Sequence, residues 1–185
     1  MSAFRPSRPR LRSALALFAM VFVVGIMATS IRAYAVEAFT VPSGSMLPTL
    51  QIGDRIIVDK LSSTIQRGDI VVFRRAPGDH DPQYPVLVKR VVGLPGETIS
   101  QRGDTIYING RPLSQPWLPH LTGICAQASI PVPTTHIPAG AYFVMGDCRG
   151  DSEDSRYWGT VPSANIIGKV SAVIWRHGHP WIHWF

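Results

Sequence analysis

Three tracts of this 185-residue chain carry side chains that could do chemistry. Pro42-Ser43-Gly44-Ser45-Met46-Leu47-Pro48-Thr49 holds two hydroxyls two residues apart, and its prolines and glycine prevent a regular helix there. Serines in such a turn can also do no more than satisfy backbone groups. The second tract is Val86-Leu87-Val88-Lys89-Arg90-Val91-Val92. Strand alternation puts Leu87, Lys89 and Val91 on one face and Val88, Arg90 and Val92 on the other, so at least one charge must face an apolar surface. An ordinary lysine, with a pKa of ~10.4, is neutral about one time in a thousand near neutrality. Desolvation, and positive Arg90 beside it, would lower that pKa at a cost of roughly 3–4 kcal/mol, giving a usable amine; a solvated edge-strand lysine is the alternative. The third tract, Met145 to Gly159, packs acids, bases and hydroxyls into a Gly-bounded loop after an apolar strand. It is either a surface of self-paired charges or a support that holds a catalytic amine in place.

These side chains need a scaffold, and the pattern is strand, turn, strand almost throughout. Strands are predicted at Val36 to Val41, Arg55 to Asp59, Asp69 to Arg74, Val86 to Val92, Glu97 to Gln101, Thr105 to Asn109, Tyr142 to Met145 and Ile166 to Trp175. Gly-Asp pairs at 53–54, 68–69 and 103–104 and the hairpin signal Asn109-Gly110 separate them. Short helical turns fit only near Leu47 to Gln51 and Pro162 to Asn165. Residues 112–140, rich in Pro, Ser and Thr, form a loop-rich insertion. A chain that is 45% apolar and 16% charged, with 16 Gly and 16 Pro, is too apolar for disorder and too rich in turn residues for a helical bundle.

The net charge of +6 suggests nucleic acid until it is located. Arg5, Arg8, Arg10, Arg12 and Arg32 supply five charges and leave a nearly neutral body, so no nucleic-acid partner is expected. The basic block, residues 1–12, precedes an uncharged run from Ser13 to Ile31. Ala14 to Ile31 alone would give about 27 Å of helix at ~1.5 Å per residue, nearly a ~30 Å hydrocarbon core. A transmembrane anchor is expected, with the N-terminus cytoplasmic, residues 32–185 extracytoplasmic, and membrane lipid as a partner. Ala33-Tyr34-Ala35 leaves a cleavable signal peptide as the rival, against which stand the length of the run and Arg32. Outside the cytoplasm a Cys125–Cys148 disulfide would persist; closing its loop is worth roughly 3.5 kcal/mol, two free thiols being the alternative. Two thiols are too few for a metal, and His177, His179 and His183 sit in a tail that reads as an edge strand or interfacial segment; neither metal nor cofactor is expected.

Taken together, the tracts resemble a known family. Ser43-Gly44-Ser45-Met46-x-Pro48-Thr49-Leu50, Gly68-Asp69-Ile70-Val71-Val72-Phe73, Lys89-Arg90-Val91-Val92-Gly93-Leu94-Pro95-Gly96, and Gly146-Asp147-x-Arg149 through Ser152-x-Asp154-Ser155-Arg156-Tyr157-Trp158-Gly159 are similar to type I bacterial signal peptidases, in that family's order. The resemblance implies a mostly β fold, an antiparallel β-sheet catalytic domain behind a membrane anchor. It also implies a Ser-Lys dyad with Ser45 as nucleophile and Lys89 as general base, the Ser43 hydroxyl and Ser45 N–H forming the oxyanion hole. Ser152 would then hydrogen-bond Lys89, and Asp154 would pair with Arg156. Phe39, Val41, Pro42, Met46, Leu50, Val72, Leu87 and Val88 match positions that form shallow pockets for small side chains at −1 and −3, though a core strand would carry the same residues. Cys148 and Gly150 depart from the family's usual Asn and Asp.

The implied activity is removal of signal peptides from exported preproteins through an acyl-enzyme. Its rivals are a peptidase of the same dyad dedicated to one secretion or conjugation substrate, and an inactive anchored β-domain that binds a partner.

Overall fold

A computed structural model of the chain describes residues 14–25, 35–62, 64–75, 84–118, 122–126 and 130–185. The chain divides into two compact units, Met1–Val36 and Glu37–Phe185. In the first, residues 14–25 form a helix, α1, whose large apolar side chains from Leu15 to Val24 are 51–79% exposed. The remainder of the expected membrane span, residues 13 and 26–31, lies outside the described residues. No helix among the described residues is long and apolar enough to cross a membrane.

From Val36 onward the chain is β. Its strands are β1 (Val36–Thr40), β2 (Arg55–Asp59), β3 (Ile70–Arg74), β4 (Val86–Gly93), β5 (Thr98–Arg102), β6 (Thr105–Ile108), β7 (Arg111–Pro112), β8 (Thr135–His136), β9 (Ala141–Met145), β10 (Val161–Pro162), β11 (Ile166–Arg176) and β12 (His179–Trp184). An eight-stranded sheet runs β1-β2-β11-β3-β4-β9-β10, with β12 paired to β11; a smaller one runs β7-β6-β5-β8. The eight predicted strands all appear, with ends shifted by a residue. Of the other four, three are two-residue pieces too short to show alternation, and β12 is the tail that reads as an edge strand or interfacial segment. The last carries the His tail and pairs with β11 as an exposed edge. Asn109 and Gly110, both at positive φ (50° and 77°), make the predicted tight turn between β6 and β7.

Two features of this scaffold matter for the site. β4 lies between β3 and β9, and Val88 to Gly93 are all buried, so side chains on both its faces are removed from water. A core cluster of Val41, Met46, Leu50, Ile56, Val58, Ile70, Val72 and Val88 lies beneath the segment that follows β1. That segment forms a 3-10 turn at Gly44–Met46 and continues into a turn over residues 47–49, within the predicted 47–51, from which Met46 and Leu50, both 0% exposed, reach the core. Burying two such side chains contributes about 1.5–3 kcal/mol each, which fixes the turn.

Candidate active site

Ser45 is presented by that turn and is 6% exposed. Its carbonyl oxygen accepts from Cys148 N–H at 3.1 Å, and the residues that follow it are closed into a turn by Leu50 N–H donating to Met46 O at 2.9 Å. Lys89 reaches it from β4, with Nζ 2.6 Å from Ser45 Oγ. The lysine is 3% exposed. Ser43 Oγ lies 3.4 Å from Ser45 Oγ.

Alternation along β4 sends Arg90 to the other face. There its Nε and Nη2 donate to Asp147 Oδ1 and Oδ2 at 2.8 and 2.6 Å, and its Nη1 donates to Gly68 O at 2.7 Å. Thr49 Oγ1 donates to Asp147 Oδ2 at 2.6 Å, joining the Ser45 segment to the same pair. Both charges of Lys89-Arg90 are thus buried, but only one is neutralised by a carboxylate partner. Burial lowers the Lys89 pKa from 10.5 to about 8; Asp154 and Glu153 push it up, and Arg75 and Arg156 push it down. The expected influence of Arg90 is therefore corrected: it faces away and is held by Asp147, and the cations that act on Lys89 are Arg75 and Arg156.

The loop after β9 packs against the back of this pair. A Cβ built at Gly146 would overlap Ser152 Cβ and Oγ and the Ser45 carbonyl, so only glycine permits the approach. Asp154 caps α2 (Ser155–Trp158) and gathers the loop: it accepts from Gly146 N–H at 2.9 Å, from Ser152 Oγ at 2.8 Å, and from Arg156 Nε and Nη2 at 2.8 and 2.9 Å. The Asp154–Arg156 pair is as expected. The Ser152 contact is not: its hydroxyl donates to Asp154 Oδ2 rather than meeting Lys89. The hydroxyl has one proton to donate, and the carboxylate, a charged acceptor two residues away, receives it. Cys125 and Cys148 are joined by a disulfide, with Cα atoms 4.1 Å apart.

A cavity of about 330 Å³ opens over Ser45 and Lys89, lined by Phe39, Val41, Pro42, Ser43, Val72, Leu87 and Val88 among others. Six of the eight expected pocket residues line it. Met46 and Leu50 do not; they are fully buried beneath the turn and serve the core. Thr40, Ile56, Arg75, Tyr84, Val86, Asp151 and Glu153 also line the cavity and were not anticipated, nor was the Arg90–Asp147–Thr49 group. Val86 shares a face of β4 with Val88, a signal alternation could have given; Ile56 stands on β2, which carries no expected pocket residue. The charged liners stand at strand and loop ends, which only the fold brings together. Chemically, an amine with a weakened hold on its proton, 2.6 Å from a hydroxyl under an apolar cleft, is suited to activating that hydroxyl toward a bound carbonyl.

A family model described as "Signal peptidase, peptidase S26" matches residues 14–175. Signal peptidase I of Leptolyngbya laminosa is 39% identical over 156 residues, 81% of this chain and 74% of the relative. Signal peptidase I V of Bacillus subtilis (strain 168) is 40% identical over 144 residues, 72% of this chain and 82% of the relative. A crystal structure of a signal peptidase I from Enterococcus faecalis V583, 33% identical, aligns with a TM-score of 0.45 over 59% of this chain and 98% of that one.

Proposed function

Because this chain belongs to the signal peptidase family, peptidase S26, we propose that it removes signal peptides by way of Ser45 and Lys89. It is a serine endopeptidase acting on preproteins. The observation that carries the assignment of its residues is the 2.6 Å contact between Ser45 Oγ and a lysine that burial brings to a pKa of about 8.

In this reading neutral Lys89 takes the Ser45 proton as Oγ attacks the scissile carbonyl. The resulting oxyanion is met by the Ser45 N–H and the Ser43 hydroxyl. On collapse the C–N bond breaks, the proton held on Lys89 passes to the departing amine, and the signal peptide remains as an ester on Ser45. Water, deprotonated by the again neutral Lys89, then hydrolyses that ester. The Asp154–Arg156 pair holds the loop behind Lys89, and the shallow apolar walls at Val41, Val72, Leu87 and Val88 favour small side chains, hence cleavage after small-x-small. An N-terminal anchor over residues 13–31, with the body outside the cytoplasm, fits the uncharged run and the exposed apolar side chains of α1. It would confine the site to the layer that holds an inserted signal peptide.

Incubation of the full chain in detergent with a panel of unrelated preproteins, read by mass spectrometry, tests this. Cuts after small-x-small that vanish in Ser45→Ala are expected. Processing of a single substrate would leave the dedicated peptidase, and no acyl-enzyme at Ser45 would leave the binding domain.

A further inference from the structure

We propose that the Cys125–Cys148 disulfide is a positioning device for Ser45, so that cleavage depends on the oxidation state of this pair; the proposal rests on the serine-peptidase reading above. Cys148 is the residue whose N–H holds the Ser45 carbonyl, and it is 0% exposed. The segment around it is fixed at both ends by groups independent of the sulfurs. Asp147 is held by Arg90, and Asp154 by Arg156, both pairs being buried. Between them, residues 148–151 are tied within the loop by Arg149 Nε donating to Gly146 O and Asp151 N–H donating to Cys148 O, each at 3.1 Å, and further by the insertion. The disulfide ties Cys148 to the 3-10 turn Gly123–Ala126, Arg149 Nη2 donates to Gln115 Oε1 at 2.5 Å, and Arg156, which also holds Arg149 O, donates through Nη1 to Ile130 O at 3.4 Å. The only covalent tie falls on the residue that touches the Ser45 backbone. Losing it frees the contact behind the nucleophile while the pairs on either side keep the domain folded.

The exchange is balanced by an external dithiol. Its thiolate attacks Cys125 Sγ, since Cys125 is partly exposed and Cys148 is not, and the Cys148 thiolate leaves and takes a proton. The second thiol of the reductant displaces Cys125, so the protein gains two electrons and two protons and the reductant becomes a disulfide. Formation of the bond is the reverse, with an external disulfide as oxidant.

The full chain in detergent is compared oxidised, reduced with dithiothreitol, and reoxidised, by hydrogen exchange and by cleavage of a peptide substrate. Reduction should accelerate exchange in residues 44–50 and 146–152 and leave β3 and β4 protected. It should lower kcat about 10- to 100-fold, as small misplacements of a reacting group do, with KM changed less than about twofold. Reoxidation should restore both, and Cys125→Ser/Cys148→Ser should have the low kcat and ignore dithiothreitol. Equal kcat in the two redox states, a loss carried by KM, or unchanged exchange at residues 44–50 overturns the proposal. If the double variant does not fold, the reduction and reoxidation cycle decides. If the oxidised chain cleaves nothing, the peptidase reading fails, while the exchange comparison still decides whether the disulfide positions Ser45.

Discussion

Titrating the enzyme probes the dyad most directly, because the structure gives both the distance and the proton affinity. A lysine whose pKa burial has brought from 10.5 to about 8 is neutral in roughly one molecule in ten at pH 7, against about one in three thousand otherwise, a gain of ~300-fold in competent base. If Lys89 deprotonates Ser45, kcat/KM should climb about tenfold per pH unit below pH ~7 and level off above ~9, with its midpoint near 8. The assay is initial-rate hydrolysis of a fluorogenic peptide spanning a small-x-small site, from pH 5.5 to 10 at constant ionic strength, with stability checked at each pH. Lys89→Arg should be inactive throughout, since a guanidinium does not lose its proton in this range. Glu153→Gln should shift the midpoint to lower pH, because the removed carboxylate favours the charged lysine. A flat profile, a midpoint near that of free lysine, or substantial activity in Lys89→Arg would refute the reasoning.

The same burial makes Lys89 costly to the fold. Its folded pKa lies below the unfolded one, so the cost is fully present below pH ~8 and disappears as pH rises through the unfolded value of 10.5. Lys89→Met should therefore abolish cleavage yet raise stability at pH 7 by up to about 3 kcal/mol in urea unfolding, an advantage that shrinks toward pH 10; a destabilised Lys89→Met at pH 7 would count against the buried charge. Ser43→Ala should lower kcat about 10²–10³-fold with little change in KM, and an effect confined to KM would remove Ser43 from the oxyanion hole. Asp154→Ala leaves Arg156, whose side chain is 0% exposed, without its carboxylate and should cost about 3–5 kcal/mol. A loss below about 1 kcal/mol would show that the loop is held some other way.

Much of this molecule could be read along the chain. Alternation located β4 and required a buried charge there, because a two-residue period leaves Lys89 and Arg90 no common face. Where reading failed, the decisive contact was nonlocal. Met46 and Leu50 are apolar residues beside a serine, and nothing in sequence distinguishes a pocket wall from a core anchor; the core cluster beneath the turn took them. Ser152 carries a hydroxyl whose partner the sequence does not name, and its pairing with Asp154 depends on the positions set by α2 and Gly146.

By itself, then, the sequence determined the strands and turns and the side chains able to react, since these follow from local spacing, backbone preference and covalent chemistry. The tertiary structure alone decided which of those side chains meet. Lys89 and Ser45 are 44 residues apart and Cys125 and Cys148 are 23, and closing such loops is settled by the packing of β4, the core and the insertion together. It also decided the protonation of Lys89, because a lysine's charge is weakened by the loss of water around it, and that loss exists only once β3, β9 and the loop carrying Asp154 have closed over the strand.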